Sequence, residues 1–175
     1  MSVIEYQKKL VIDYGIKGLV FAAKEANREE ALSNLRKSVE SICRIVILNE
    51  FGETEGLSFL DGNIDMYKRA LEKKEKPSLY NLISCIKELN LLPLEISKSL
   101  DFIRQSGGNK ASHSPLLESR VVESSDLRKC IDHYKNVIEA VWSDVLPSKF
   151  QMALRGEIES IYQLDLQNDI WNNIQ

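Results

Sequence analysis

The stretch Ser124-Ser-Asp-Leu-Arg-Lys-Cys-Ile-Asp-His-Tyr-Lys-Asn-Val-Ile-Glu-Ala-Val141 decides the fold class. Its apolar residues Leu127, Ile131, Tyr134, Ile138 and Val141 recur every three or four positions. An α-helix carries such residues on one face, whereas a half-buried strand would alternate with period two. Ser124 or Ser125 can cap the start, and the periodicity runs through Val145 to Pro147. The steps are those of a heptad, which suits helices crossing at about 20°.

The same period appears upstream. Leu32, Leu35, Val39, Ile42 and Val46 form one stripe, preceded by Asn27 and Glu30 in the spacing of a capping box. Leu79, Leu82, Ile86 and Leu89 form another, with Ser78 as its cap, and Ile96, Leu100 and Ile103 a third, with Pro93 in its first turn. A first helix is expected from Val3 to about Ala26, with Gly15 and Gly18 as the places where it can bend. Residues 51–63, with three glycines, read as a loop. Ile64, Tyr67 and Leu71 mark a short helix that Pro77 closes, Gly107 or Gly108 ends the Pro93 helix, and 114–125 reads as a loop around Pro115.

Only eight glycines and four prolines occur in 175 residues, and no alternating pattern persists. The expectation is an all-α protein: an antiparallel up-and-down four-helix bundle over 1–147, with an additional C-terminal helix in a 148–175 extension. That extension keeps Ile158, Ile161, Ile170, Trp171 and Ile174, apolar groups that a free tail has no use for. It is therefore expected to pack against something other than the bundle, such as a second subunit, a partner protein or an adjacent domain.

A net charge of -3 argues against a broad non-specific nucleic-acid surface and leaves room for a small basic pocket. Cys43, Cys85 and Cys130 are far apart and each lies in an apolar-periodic stretch, so they read as buried free thiols in a reducing cytosol. No Cys-x-x-Cys or His/Cys cluster suggests a metal site, and no cofactor is expected. No signal peptide and no apolar run near the ~20 residues of a membrane span is seen, so the expected location is cytoplasmic. The phosphate-loop, dinucleotide and nucleophile-elbow motifs are all missing.

Chemistry concentrates between Leu100 and His113. Arg104 ends an apolar helix, Gly107 and Gly108 follow, and Asn109-x-x-x-His113 comes next. Arginine holds phosphate, and histidine moves a proton near neutral pH. Each residue also has a plainer account. Arg104 can simply neutralise a helix C-terminus, Asn109 can be a turn residue, and His113 can bond a backbone carbonyl. Arg36 and Glu40, at i and i+4, read either as a surface ion pair or as a brace for His113 or Arg104. His133 reads as a core-edge residue, in step with Cys130 and Val137.

The order Leu35-Arg36-x-x-x-Glu40, then Phe102-Ile-Arg104, then Gly108-Asn109-x-x-x-His113 before a final long helix resembles the HEPN superfamily. It is most similar to a bacterial group of undefined function with an Arg…Gly-Asn-x-x-x-His motif. Here eight residues separate Arg104 from His113, a longer spacing than is usual in active members. The resemblance implies a bundle that homodimerises about its motif-bearing helices. It also implies RNA as ligand and metal-independent cleavage in a toxin or defence system, with His113 as base, Arg104 at the phosphate and Asn109 orienting His113. Other members of the superfamily are non-catalytic dimerisation or adaptor modules of larger defence or nucleic-acid-processing systems, and that is the alternative here.

Overall fold

The computed structural model describes residues 1–24, 27–60, 78–106 and 124–165, and all regular structure in them is helical. The helices are α1 (Val3–Ala22), α2 (Arg28–Leu60), α3 (Leu79–Glu88), α4 (Leu94–Gln105), α5 (Ser124–Val141) and α6 (Ser148–Leu154). A further helical stretch covers 158–165. None of the described helices is long and apolar enough to cross a membrane.

Local sequence explains where these helices start and stop. The Ser2 hydroxyl accepts from the Glu5 N–H while the Glu5 carboxylate accepts from the Ser2 N–H, a reciprocal cap that opens α1. Ser78 caps α3 by accepting from the Asn81 N–H, as its position predicted. At the other end of α3, Asn90 takes a left-handed φ of 50°, and the Leu91 N–H reaches back to the Ile86 carbonyl. Pro93 occupies the N-cap position of α4, one residue before the first turn where the sequence placed it.

Helix α2 is the spine and packs on α1, α3, α4 and α5. Pairs of contacting residues show antiparallel neighbours. Val11 meets Ser38 while Ile4 meets Glu53, and Gly15 meets Tyr134 while Lys8 meets Asp144. Ser99 meets His133 on α4 and α5. The predicted stripes form the core, except Leu89, which is the C-cap residue of α3 and 40% exposed. Leu32, Leu35, Val39, Ile42, Leu82, Ile86, Leu100, Ile103, Leu127, Tyr134 and Ile138 are buried. Each such side chain stabilises the fold by about 1.5–3 kcal/mol relative to exposure. Ile131 lies at the edge of that core and is only half-buried.

A polar node sits inside the apolar core where α1, α2 and α5 meet. Ser38 Oγ donates to the Val11 carbonyl at 2.8 Å and accepts from the Tyr134 hydroxyl at 2.7 Å. Burial pushes the Tyr134 phenol well above its usual range, so it stays a donor. Gly15 makes room for it: a Cβ there would lie 2.3 Å from the Tyr134 oxygen and 3.0 Å from Phe150. The three cysteines are buried thiols outside any disulfide, as expected. Burial raises the Cys43 thiol strongly and the Cys130 thiol to about 12.

Four expectations need correction. Residues 51–60 are helical rather than loop, and Gly52, at φ 78° and ψ 163°, is the single break within α2. The break lets Gly56 settle against Leu48 and lets the Glu53 carboxylate accept from the Ile4 N–H. Helix α1 ends at Ala22, with no non-helical residue at Gly15 or Gly18. Helix α5 ends at Val141, so Val145 lies outside its stripe and is 91% exposed. Finally, the segment after Pro147 packs back on its own bundle: Phe150, Ala153 and Ile161 are buried in the same core. Phe150 lies 6.4 Å from the Tyr134 ring and 6.5 Å from that of Trp142. The expected 64–71 helix, the Gly107–Gly108 stop, the 114–123 loop and the last apolar groups of 166–175 fall outside the described residues.

Candidate phosphate-binding site

Arg104 occupies the last turn of α4, where a cation offsets the negative end of the helix. Its Nε donates to Asp101 Oδ1 at 2.8 Å, one helical turn back. The other oxygen of the same carboxylate accepts from Lys87 Nζ of α3, also at 2.8 Å. The guanidinium carbon also stands 5.3 Å from the Tyr80 ring centroid, a cation–π distance. Tyr80 is 60% exposed. Two cations thus share one carboxylate across α3 and α4, and an exposed aromatic ring adjoins the arginine of the pair.

Partial burial raises the Asp101 carboxyl. The hydrogen bonds from Lys87 and Arg104 outweigh it and hold the group below the usual carboxylate range. Asp101 is therefore ionised near neutral pH and the cluster keeps one net positive charge. The arrangement fixes the direction of a guanidinium that would otherwise be free to rotate. It offers phosphate a cation and offers a base an aromatic face.

Of the residues singled out from sequence, Arg104 is placed here, and Asn109 and His113 lie outside the described residues. The expected Arg36–Glu40 pair is not formed. Glu40 instead accepts from Arg44 Nη2 at 3.2 Å, an equally good i,i+4 partner in the other direction. Among the described residues, Arg36 Nε is buried without a hydrogen-bond partner. The carboxylate that braces Arg104 is Asp101, not Glu40. Asp101 could have been found, since it stands three residues before Arg104 on one predicted helix face. Lys87 and Tyr80 could not, because their approach depends on how α3 packs against α4.

His133 is at the core edge, as read. Its Nδ1 is 2.9 Å from Ser99 Oγ and its ring centroid 4.4 Å from that of Phe102. Beside it, an open groove of about 470 Å³ runs between α4 and α5, lined by Glu95, Ile96, Ser99, Asn136, Glu139 and Ala140. Its two carboxylates disfavour an anionic ligand, which leaves the Arg104 cluster as the better phosphate site. Comparison with protein-family models, with curated proteins and with solved structures finds no match for this chain.

Proposed function

We propose that this chain is a HEPN-like RNA-binding domain that cleaves RNA without a metal ion, with the end of α4 as its phosphate site. The observation that carries the reading is the Lys87–Asp101–Arg104 cluster, with Tyr80 under the guanidinium. Arg104 and Lys87 take the phosphate charge, Tyr80 takes a base, and the sequence that follows carries Asn109 and His113. His113 removes the ribose 2′-OH proton. The resulting oxygen attacks the adjacent phosphorus and the bond to the 5′ oxygen breaks. The products are a cyclic phosphate and a 5′-hydroxyl, which takes up the proton.

One test is to incubate the full chain with mixed RNA in EDTA, beside His113→Ala and Arg104→Ala. The expected result is cyclic-phosphate ends from the unaltered chain and a loss of about 10²-fold or more for His113→Ala. Cleavage that survives in His113→Ala, or that EDTA abolishes, overturns the mechanism.

The Asp101 pairing itself favours a second reading, a non-catalytic HEPN-like dimerisation or adaptor module, because it spends part of the Arg104 charge inside the fold. That reading is correct if RNA is neither bound nor cleaved and light scattering shows a homodimer or a partner-bound form.

A further inference from the structure

A second cation–aromatic cluster lies on a different face, between α1 and α2. Tyr14 is half-buried, and two exposed lysines converge on its ring. Lys17 Nζ, one turn along α1, is 5.7 Å from the ring centroid, and Lys37 Nζ, from α2, is 5.4 Å away. The Ser38–Val11 hydrogen bond sets this register, because it fixes the neighbouring Lys37 beside the turn of α1 that carries Tyr14. Among the described residues neither ammonium group has a carboxylate partner. Asp13, at i,i+4 to Lys17, is not paired with it, and the nearby Glu40 is taken by Arg44.

Two ammonium groups held at one ring without a carboxylate concentrate positive charge there, and an oxyanion bound beside them would neutralise it. In a chain of net charge -3, such a gathering is a local device rather than bulk positivity. Cations gathered beside an aromatic ring are the groups that meet phosphate and base along a single strand. We infer that Lys17, Tyr14 and Lys37 form a second contact for a single-stranded nucleic-acid backbone. The class of ligand rests on the RNA reading above, but none of these residues belongs to the Arg104 cluster.

The test uses a short fluorescein-labelled oligodeoxyuridylate. It lacks the 2′-OH, so binding is read apart from cleavage. Anisotropy titrations over a salt series would compare the full chain with Lys17→Gln/Lys37→Gln and, separately, with Lys87→Gln/Arg104→Gln. Thermal melts would check that each variant is folded. The expected result is that the Lys17/Lys37 double variant binds more weakly and that its salt slope falls by about 0.7 per lysine removed. Tyr14→Leu should weaken binding by about 3-fold at an unchanged slope, while Tyr14→Phe, which keeps the ring, should not.

An unchanged slope in the Lys17/Lys37 variant overturns the inference. If Lys87→Gln/Arg104→Gln then still weakens binding, the α4 site stands without it. The reverse pattern keeps this contact and removes the α4 site. No binding at low salt removes both. Displacement by polyglutamate as effective as by unlabelled oligodeoxyuridylate also overturns the inference, by assigning the face to an acidic protein.

Discussion

The Ser38–Tyr134 node and the Lys87–Asp101–Arg104 cluster are both polar networks, yet they do opposite work. The first is fully buried, neutral and satisfied, with Gly15 and Phe150 packed against it. The second is charged and faces water on one side, with side chains 21–36% exposed. Desolvation makes each member of the first expensive to leave unpartnered. Screening makes each member of the second cheap to lose for folding, and exposure leaves it available to a ligand. Stability and binding should therefore separate between the two regions, and four substitutions test that.

The largest expected effect is Phe150→Ala, which empties a core site filled by α6. It should cost about 3–5 kcal/mol in urea denaturation. A loss below about 1 kcal/mol would mean that α6 is not part of the core. Gly15→Ala comes next: the added methyl would sit 2.3 Å from the Tyr134 oxygen. Overpacking of about 1–3 kcal/mol should exceed the gain in helix propensity, and the same melts would show it as a lower midpoint.

Ser38→Ala leaves the Tyr134 hydroxyl without its acceptor, at about 1–3 kcal/mol. Adding Tyr134→Phe should recover part of that loss, since both partners are then apolar. A double-mutant cycle with no coupling would break the node as described.

Asp101→Asn is the smallest, with about 1 kcal/mol or less at neutral pH. The sign follows from linkage. The folded carboxyl titrates below its unfolded value near ~3.9, so its contribution is present above that pH and fades as pH falls through the folded value. The two chains should thus converge in stability in acid. A gap that widens there would contradict the pairing.

The core was legible because helices write their buried face into sequence every three or four residues. Leu35, Val39, Ile42, Leu82, Ile86 and Leu100 all follow that rule and are buried. Residues 51–60 were misread because a glycine-rich run looks like a loop even when Gly52 alone departs from helical geometry. Phe150 was missed for another reason: α6 is seven residues long, too short to show a period, and its partners come from α1 and α5. Of the site, Arg104 could be named from sequence, and Asp101 was within reach at i,i+3. Lys87, Tyr80 and the meeting of Lys17 with Lys37 over Tyr14 depend on helix packing, which a one-dimensional pattern does not contain.

The buried thiols make the chain its own unfolding gauge. Cys43, Cys85 and Cys130 sit on α2, α3 and α5 with no solvent-exposed surface, and the raised thiol values of Cys43 and Cys130 keep those two in the unreactive protonated form. An alkylating reagent can therefore modify them only in molecules that have opened. The labelling rate at each cysteine then reports how often its own helix leaves the core. Equal rates at all three would mean cooperative opening, and a faster Cys85 would identify α3 as the first helix to detach.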